Sequence, residues 1–225
     1  VSLLVAAGCV LALGQGLKHV IDAGFGQASQ AILDAALAGV LALAVLLSVA
    51  TFARFYLMMS TGERVITDIR RAGSLILTAP TGSGKSTQTP QYLLGQLPGK
   101  ILVLEPRRLA ARSLAGRVAA ETKTPLGAKV GYQVRFDSRC GAETAVVFQT
   151  YGVFIARMLK DPGLPGVGAV LLDEFHERTL ECDLALAWLK ALRKGRRPDL
   201  KIAVMSATLE AEALSRYLPE AARVE

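Results

Sequence analysis

From Ser74 onward, short apolar runs alternate with stretches in which apolar positions recur every three or four residues. Ser74–Thr78, Lys100–Leu104, Ala145–Phe148, Gly168–Leu172 and Lys201–Met205 are dense in Leu, Ile, Val and Ala, the composition of strands buried on both faces. Segments at 85–96, 108–121, 150–160, 179–194 and 210–217 carry helical periodicity and fall between most of these runs. Strands alternating with helices predict an α/β domain over 74–225, a parallel sheet with helices on both faces.

The first seventy-odd residues follow another pattern. Residues 35–53 form an uncharged, mostly apolar run with no polar face at helical spacing, and residues 1–17 form a second uncharged run. Each approaches the ~20 residues that cross a bilayer core. They predict a transmembrane hairpin with helices at about 1–20 and 32–59, joined by a short linker at 61–73 to the α/β domain. No basic segment precedes the first run, which argues against a cleaved signal peptide. The chain starts at Val1 without Met, so the first helix is expected to extend upstream. Arg54, Arg64, Arg70 and Arg71 follow the second run whereas Lys18 alone lies in the connecting loop, an asymmetry that places the C-terminal side in the cytoplasm.

Charge repeats this division. Residues 1–70 are balanced, so the whole formal charge of +7 sits on 71–225. A basic soluble domain suits a polyanion, nucleic acid first and an anionic membrane face second. Cys9, Cys140 and Cys182 lack disulfide or zinc spacing and fit a reducing compartment.

Two clusters carry candidate chemistry. In Ala79-Pro-Thr-Gly-Ser-Gly-Lys-Ser86, Gly82 and Gly84 can adopt the backbone angles that aim successive N–H groups at a triphosphate. Lys85 adds a point charge for the β and γ phosphates, and Ser86 opens the following helix where its hydroxyl can hold Mg²⁺. Thr81, Ser83 and Thr87 complete the expected ATP-binding set; Ala79 stands where the strict pattern has glycine. The apolar run ending in Asp173-Glu174-Phe175-His176-Glu177-Arg178 delivers two carboxylates to a strand tip, the end of an α/β sheet where ligands bind. Asp173 would hold Mg²⁺ through its water shell, and Glu174 would orient and deprotonate an attacking water.

With these clusters in place, residues 74–225 resemble the first RecA-like domain of a DEAH-box helicase of the HrpB type. The motifs follow in family order: Ala79–Thr87, Glu105-Pro-Arg-Arg-Leu-Ala-Ala-Arg112, Gln149-Thr-Tyr-Gly152, Asp173–Arg178 and Ser206-Ala-Thr208. Phe175 replaces the alanine of the plain Asp-Glu-Ala-His box, as in the HrpB type. The resemblance implies that His176, Ser206 and Thr208 couple nucleotide state to nucleic-acid grip. It further implies that Arg107, Arg108 and Thr150 contact the backbone of a single strand, RNA ahead of DNA. Arg193-Lys-Gly-Arg-Arg197 is expected to be a solvated charged loop. The family's second RecA-like domain supplies an arginine finger, and the chain stops at Glu225 before any such domain, so weak turnover and no unwinding are expected of these residues alone.

Residues 1–71 resemble something else, the first two membrane helices of a bacterial ABC exporter, on Gly62-Glu-Arg-Val65 and Asp68-Ile-Arg-Arg71. That resemblance implies a bacterial inner-membrane location with the ATPase domain cytoplasmic, contact with the bilayer through residues 1–59, and other exporter segments as partners. The alternative function is an exporter component carrying an incidental ATPase fragment. Against it stand the missing Leu-Ser-Gly-Gly-Gln signature, Phe-His-Glu-Arg after the Asp-Glu pair, and two apolar runs where an exporter has about six membrane helices.

Overall fold

A computed structural model describes residues 30–80, 82–207 and 211–224. The first expected membrane helix therefore lies outside the described residues, as do Thr81 and Thr208. The chain divides into two compact units, Val1–Thr61 and Gly62–Glu225.

Helix α1 runs from Gln30 to Ala72. Within the first unit its Leu41, Val45, Leu46, Val49 and Phe52 are exposed. Among the described residues no helix is long and apolar enough to cross a membrane, so the hairpin expected over 1–59 finds no support. Nor does the helix stop at 59: it continues through Glu63, Arg64, Asp68, Arg70 and Arg71.

The expected linker at 61–73 is instead helical to Ala72 and part of the second unit. Val65 and Ile69, four residues apart, share one helical face and are 1% and 0% exposed, whereas Glu63, Arg64 and Thr67 face water. They join the core cluster of Leu75, Leu93, Ala115, Val118 and Leu171. Arg70 and Arg71 stand in the last turn, where the helix dipole favours cations. Gly73, at φ +74, ends the helix, and a side chain there would collide with the Arg193 guanidinium.

Eight strands follow: β1 Ser74–Thr78, β2 Lys100–Glu105, β3 Val130–Val134, β4 Asp137–Arg139, β5 Val146–Thr150, β6 Val167–Leu172, β7 Lys201–Ser206 and β8 Ala222–Val224. Between them run α2 Lys85–Leu93, α3 Arg108–Glu121, α4 Tyr151–Lys160, α5 Leu180–Lys194 and α6 Ala211–Tyr217. All five predicted strands and five predicted helices of this region form, within a few residues of their expected ends. The sheet order is β4-β3-β5-β2-β6-β7-β1-β8.

The sheet is mixed, which corrects the expectation of a purely parallel one. β4 pairs antiparallel with β3 across the two-residue turn Arg135–Phe136, where Phe136 takes φ +67. The three unpredicted strands β3, β4 and β8 lie outside the sheet's continuous apolar runs, two of them only three residues long. Alternation along each strand splits the core. Leu102, Leu104 and Leu172 pack with Phe154 and Leu189 of α4 and α5, while Ile101, Val103 and Leu171 pack with α2, α3 and the end of α1.

This order sets β6, β7 and β1 side by side and β5 beside β2, so every sequence motif emerges at the carboxyl edge of one sheet. Because Ile69 is fully buried, Ile69→Ala is expected to lower unfolding stability by about 2–5 kcal/mol in urea titrations. Exposed Thr67→Ala should change it by less than about 0.5 kcal/mol.

Candidate functional site

The phosphate loop leaves β1 at Ala79, whose N–H donates to the Ser206 carbonyl at 3.1 Å and so extends the β1–β7 ladder by one bond. Gly82 and Gly84 take φ +78 and +88. A Cβ on Gly82 would touch nothing within 4 Å, so backbone angle rather than space demands glycine there. Gly84 caps α2 without a side-chain hydrogen bond, and its carbonyl accepts from the Thr87 hydroxyl at 3.1 Å. Thr87 thus braces the loop from inside. Ser83 is exposed and Ser86 half-buried in the first turn of α2.

Lys85 is 4% exposed, with Nζ 3.7 Å from Glu174 Oε1. Asp173 is fully buried: its N–H donates to Leu104 O at 3.0 Å, and its Oδ1 accepts from Glu174 N–H at 2.8 Å. Its Oδ2 is buried with no hydrogen-bond partner. Glu174 at φ +49 and Arg178 at φ +45 bracket the 3₁₀ turn Phe175–Glu177; such left-handed non-glycine backbone costs of order 1–3 kcal/mol each. Beyond the bend, the Glu174 carboxylate meets Lys85, the first residue of α2.

His176 closes the far side. Its Nδ1 lies 3.3 Å from Glu174 Oε2 and 3.4 Å from the Ala207 N–H. One nitrogen cannot donate to the first and accept from the second at once; with the Ala207 N–H as donor, Nδ1 is the acceptor. Ser206, buried at the end of β7, precedes Ala207 directly.

The expected nucleic-acid residues come together on the neighbouring strands. Glu105 of β2 is in register with Thr150 of β5, so Arg107, Arg108 and Thr150 all emerge at one place. α3 and α4 begin there, at Arg108 and Tyr151, and neither start has a side-chain cap. Two uncapped helix N-termini, two arginines and a hydroxyl make a surface suited to phosphate. Arg107 contacts Glu177 Oε1 at 2.9 Å, and Arg112 pairs with Asp137 while lying 5.6 Å over the Tyr132 ring.

Within Arg193–Arg197, Lys194, Gly195 and Arg196 are exposed as expected of a solvated segment, whereas Arg193 and Arg197 are not. Arg197 donates to the carbonyls of Gly163, Leu164 and Val167 at 2.7–2.8 Å and pairs with Asp199. Arg193 donates to Ala72 O at 2.7 Å and to Ser74 Oγ at 2.6 Å. Both arginines supply donors to oxygens at the starts of strands.

Residues 61–216 match the family described as DEAD/DEAH box helicase. The chain belongs to the DEAD/DEAH box helicase family. It is 47% identical over 159 residues to the ATP-dependent RNA helicase HrpB of Escherichia coli K12, which covers 70% of this chain and 20% of the relative. It is 44% identical over 162 residues to the human protein described as a probable ATP-dependent RNA helicase, DHX40, covering 69% of this chain and 21% of the relative. The crystal structure of the Escherichia coli DEAH/RHA helicase HrpB superposes with a TM-score of 0.71 at 45% identity, over 74% of this chain and 22% of that one. The chain therefore spans about a fifth of the length of these relatives, and its RecA-like helicase fold is theirs. The match begins at residue 61, within the helical stretch first read as a linker.

Sequence reasoning about this DEAD/DEAH box helicase domain missed Glu105. It ends β2 beside Asp173, since Leu104 and Leu172 are in register, and it is 1% exposed with Oε1 unpartnered. Burial above all, then the Asp173 charge, its hydrogen bond to Asp173 and the Glu174 charge push its carboxyl up to about 10, against an opposing pull from Lys85. Glu105 is thus a neutral, protonated carboxyl at pH 7. The signal available in advance was an acidic residue closing an otherwise apolar strand.

The folded state keeps this proton up to about pH 10, whereas an unfolded chain releases it near 4.5. Throughout that window the folded state binds more protons, so this group's stability contribution is complete below 4.5 and is lost as pH rises towards 10. Denaturant titrations at several pH values are expected to show a flatter decline for Glu105→Gln than for the wild type.

Proposed function

We propose that this chain is the ATP-binding and ATP-hydrolysing first motor domain of a DEAH-type RNA helicase. The observation that carries this reading is the convergence of buried Lys85, Glu174 and the unpartnered Asp173 Oδ2 beside a glycine loop opening a helix. Glu174 pairs with Lys85. A γ-phosphate offers Lys85 a stronger anionic partner, and Glu174 is then free to accept a proton from a water in line with the bond to be broken. The left-handed backbone at Glu174 holds that carboxylate beside Lys85 at the start of the helix that follows the glycine loop.

The residues fit Mg²⁺. Ser86 Oγ and Asp173 Oδ2 offer only hard oxygen donors, and among the described residues no cluster of three or more His, Cys, Asp or Glu could hold a metal. Mg²⁺ binds such sites through few protein ligands plus substrate phosphates and water. When bound it neutralises charge on the phosphate oxygens. Gly82, Ser83, Gly84 and Thr87 shape the loop, and Thr81 belongs to the same set by sequence.

Arg107, Arg108 and Thr150 are assigned to the backbone of a single-stranded RNA, with Ser206, Thr208 and His176 coupling the two sites. The uncapped starts of α3 and α4 support this assignment. For these 225 residues by themselves, turnover should be slow, since an arginine finger from a second domain contributes roughly 10³–10⁵ in related phosphate-loop enzymes.

Lys85→Ala is expected to abolish binding of a fluorescent ATP analogue. Glu174→Gln should retain that binding and lose at least ~10²-fold in phosphate release. Wild-type turnover should rise when single-stranded RNA is added; hydrolysis unaffected by both substitutions would overturn the assignment.

A further inference from the structure

We propose that Glu177 is a built-in competitor for Arg107, displaced when a nucleic-acid phosphate binds, and that this exchange reports the bound strand to the turn carrying Glu174. The proposal rests on the nucleic-acid reading of Arg107 given above.

Arg107 immediately precedes α3, and its side chain is 74% exposed; Glu177, 30% exposed, meets it with one contact of 2.9 Å. The carboxylate oxygen occupies a guanidinium N–H that a phosphate oxygen would take, since carboxylate and phosphate both offer oxygens that match the planar fork of arginine. An exposed pair of this kind is weak, so a phosphate approaching two uncapped helix starts and Arg108 can replace Glu177 at little cost. Glu177 therefore raises the threshold for binding without blocking the surface.

The other end of the exchange is the turn itself. Glu177 lies three residues after Glu174, and its N–H donates to the Glu174 carbonyl at 2.9 Å. Arg178 is held on the far flank by two bonds of 3.1 Å to Asp183, and His176 is held by the Ala207 N–H. Arg107 is a third anchor, on the nucleic-acid side. Release of that anchor loosens the segment whose left-handed backbone aims Glu174.

The test is fluorescence anisotropy of a labelled single-stranded oligouridylate with the 225-residue chain, across a salt series, for wild type, Glu177→Gln, Arg107→Gln and the double variant. Glu177→Gln is expected to bind about 2–5-fold tighter. Arg107→Gln should bind more weakly and lower the slope of log affinity against log salt by about 1. In the Arg107→Gln background, Glu177→Gln should change nothing. An equal effect of Glu177→Gln in both backgrounds, or none where Arg107→Gln does weaken binding, overturns the competition while leaving Arg107 a nucleic-acid contact. Unchanged affinity and slope for Arg107→Gln would overturn the underlying reading instead. Hydrogen exchange at the Glu177 and Arg178 amides should quicken on RNA addition in the wild type; unaltered exchange overturns the link to the turn.

Discussion

A lysine ammonium kept almost entirely from water needs an anion, and the rest of this domain is arranged around that requirement. Glu174 meets it at 3.7 Å, but only because its backbone is bent into the left-handed region. Two further carboxyls crowd the same few ångströms. Asp173 spends one oxygen on the Glu174 amide, and Glu105 remains neutral because burial and its neighbours disfavour a third negative charge. The centre is thus balanced for the arrival of an anion: a polyphosphate would find a lysine whose present partner is held by strain rather than by ideal geometry.

The sheet turns that local balance into a two-sided surface. β1, β6 and β7 carry the phosphate loop, the carboxylates and Ser206; β2 and β5 carry Arg107, Arg108 and Thr150. β6 neighbours β2, so the acidic turn is the boundary between the halves. The backbone bond from Ala79 to Ser206 joins two motifs separated by more than a hundred residues, and only strand order makes them neighbours.

Much of this was legible beforehand because the chemistry is local. Glycine spacing, a lysine at a helix start and two acids after an apolar run occupy consecutive positions, and fully buried strands read as continuous apolar stretches. What escaped depends on pairing. Glu105 becomes unusual only beside Asp173, across two strands sixty-odd residues apart. Arg193 and Arg197 looked solvated because nothing in their own segment reveals the carbonyls they reach. Val65 and Ile69 were overshadowed by the longer apolar run before them, although their spacing of four already marks a helical face. The membrane hairpin rests on hydropathy and on a resemblance of apolar helices, neither of which says where a helix ends, and this one runs on to Ala72.

The two arginines carry a mechanical implication. Arg193 holds the start of β1 through Ala72 O and Ser74 Oγ, and Arg197 holds the approach to β6 through three backbone carbonyls, so the amino ends of two of the strands beneath the phosphate loop and the acidic turn are tied by guanidinium bonds. A sheet fastened at one rim behaves like a cantilever. A displacement begun at the phosphate loop would meet this restraint at the far ends of β1 and β6.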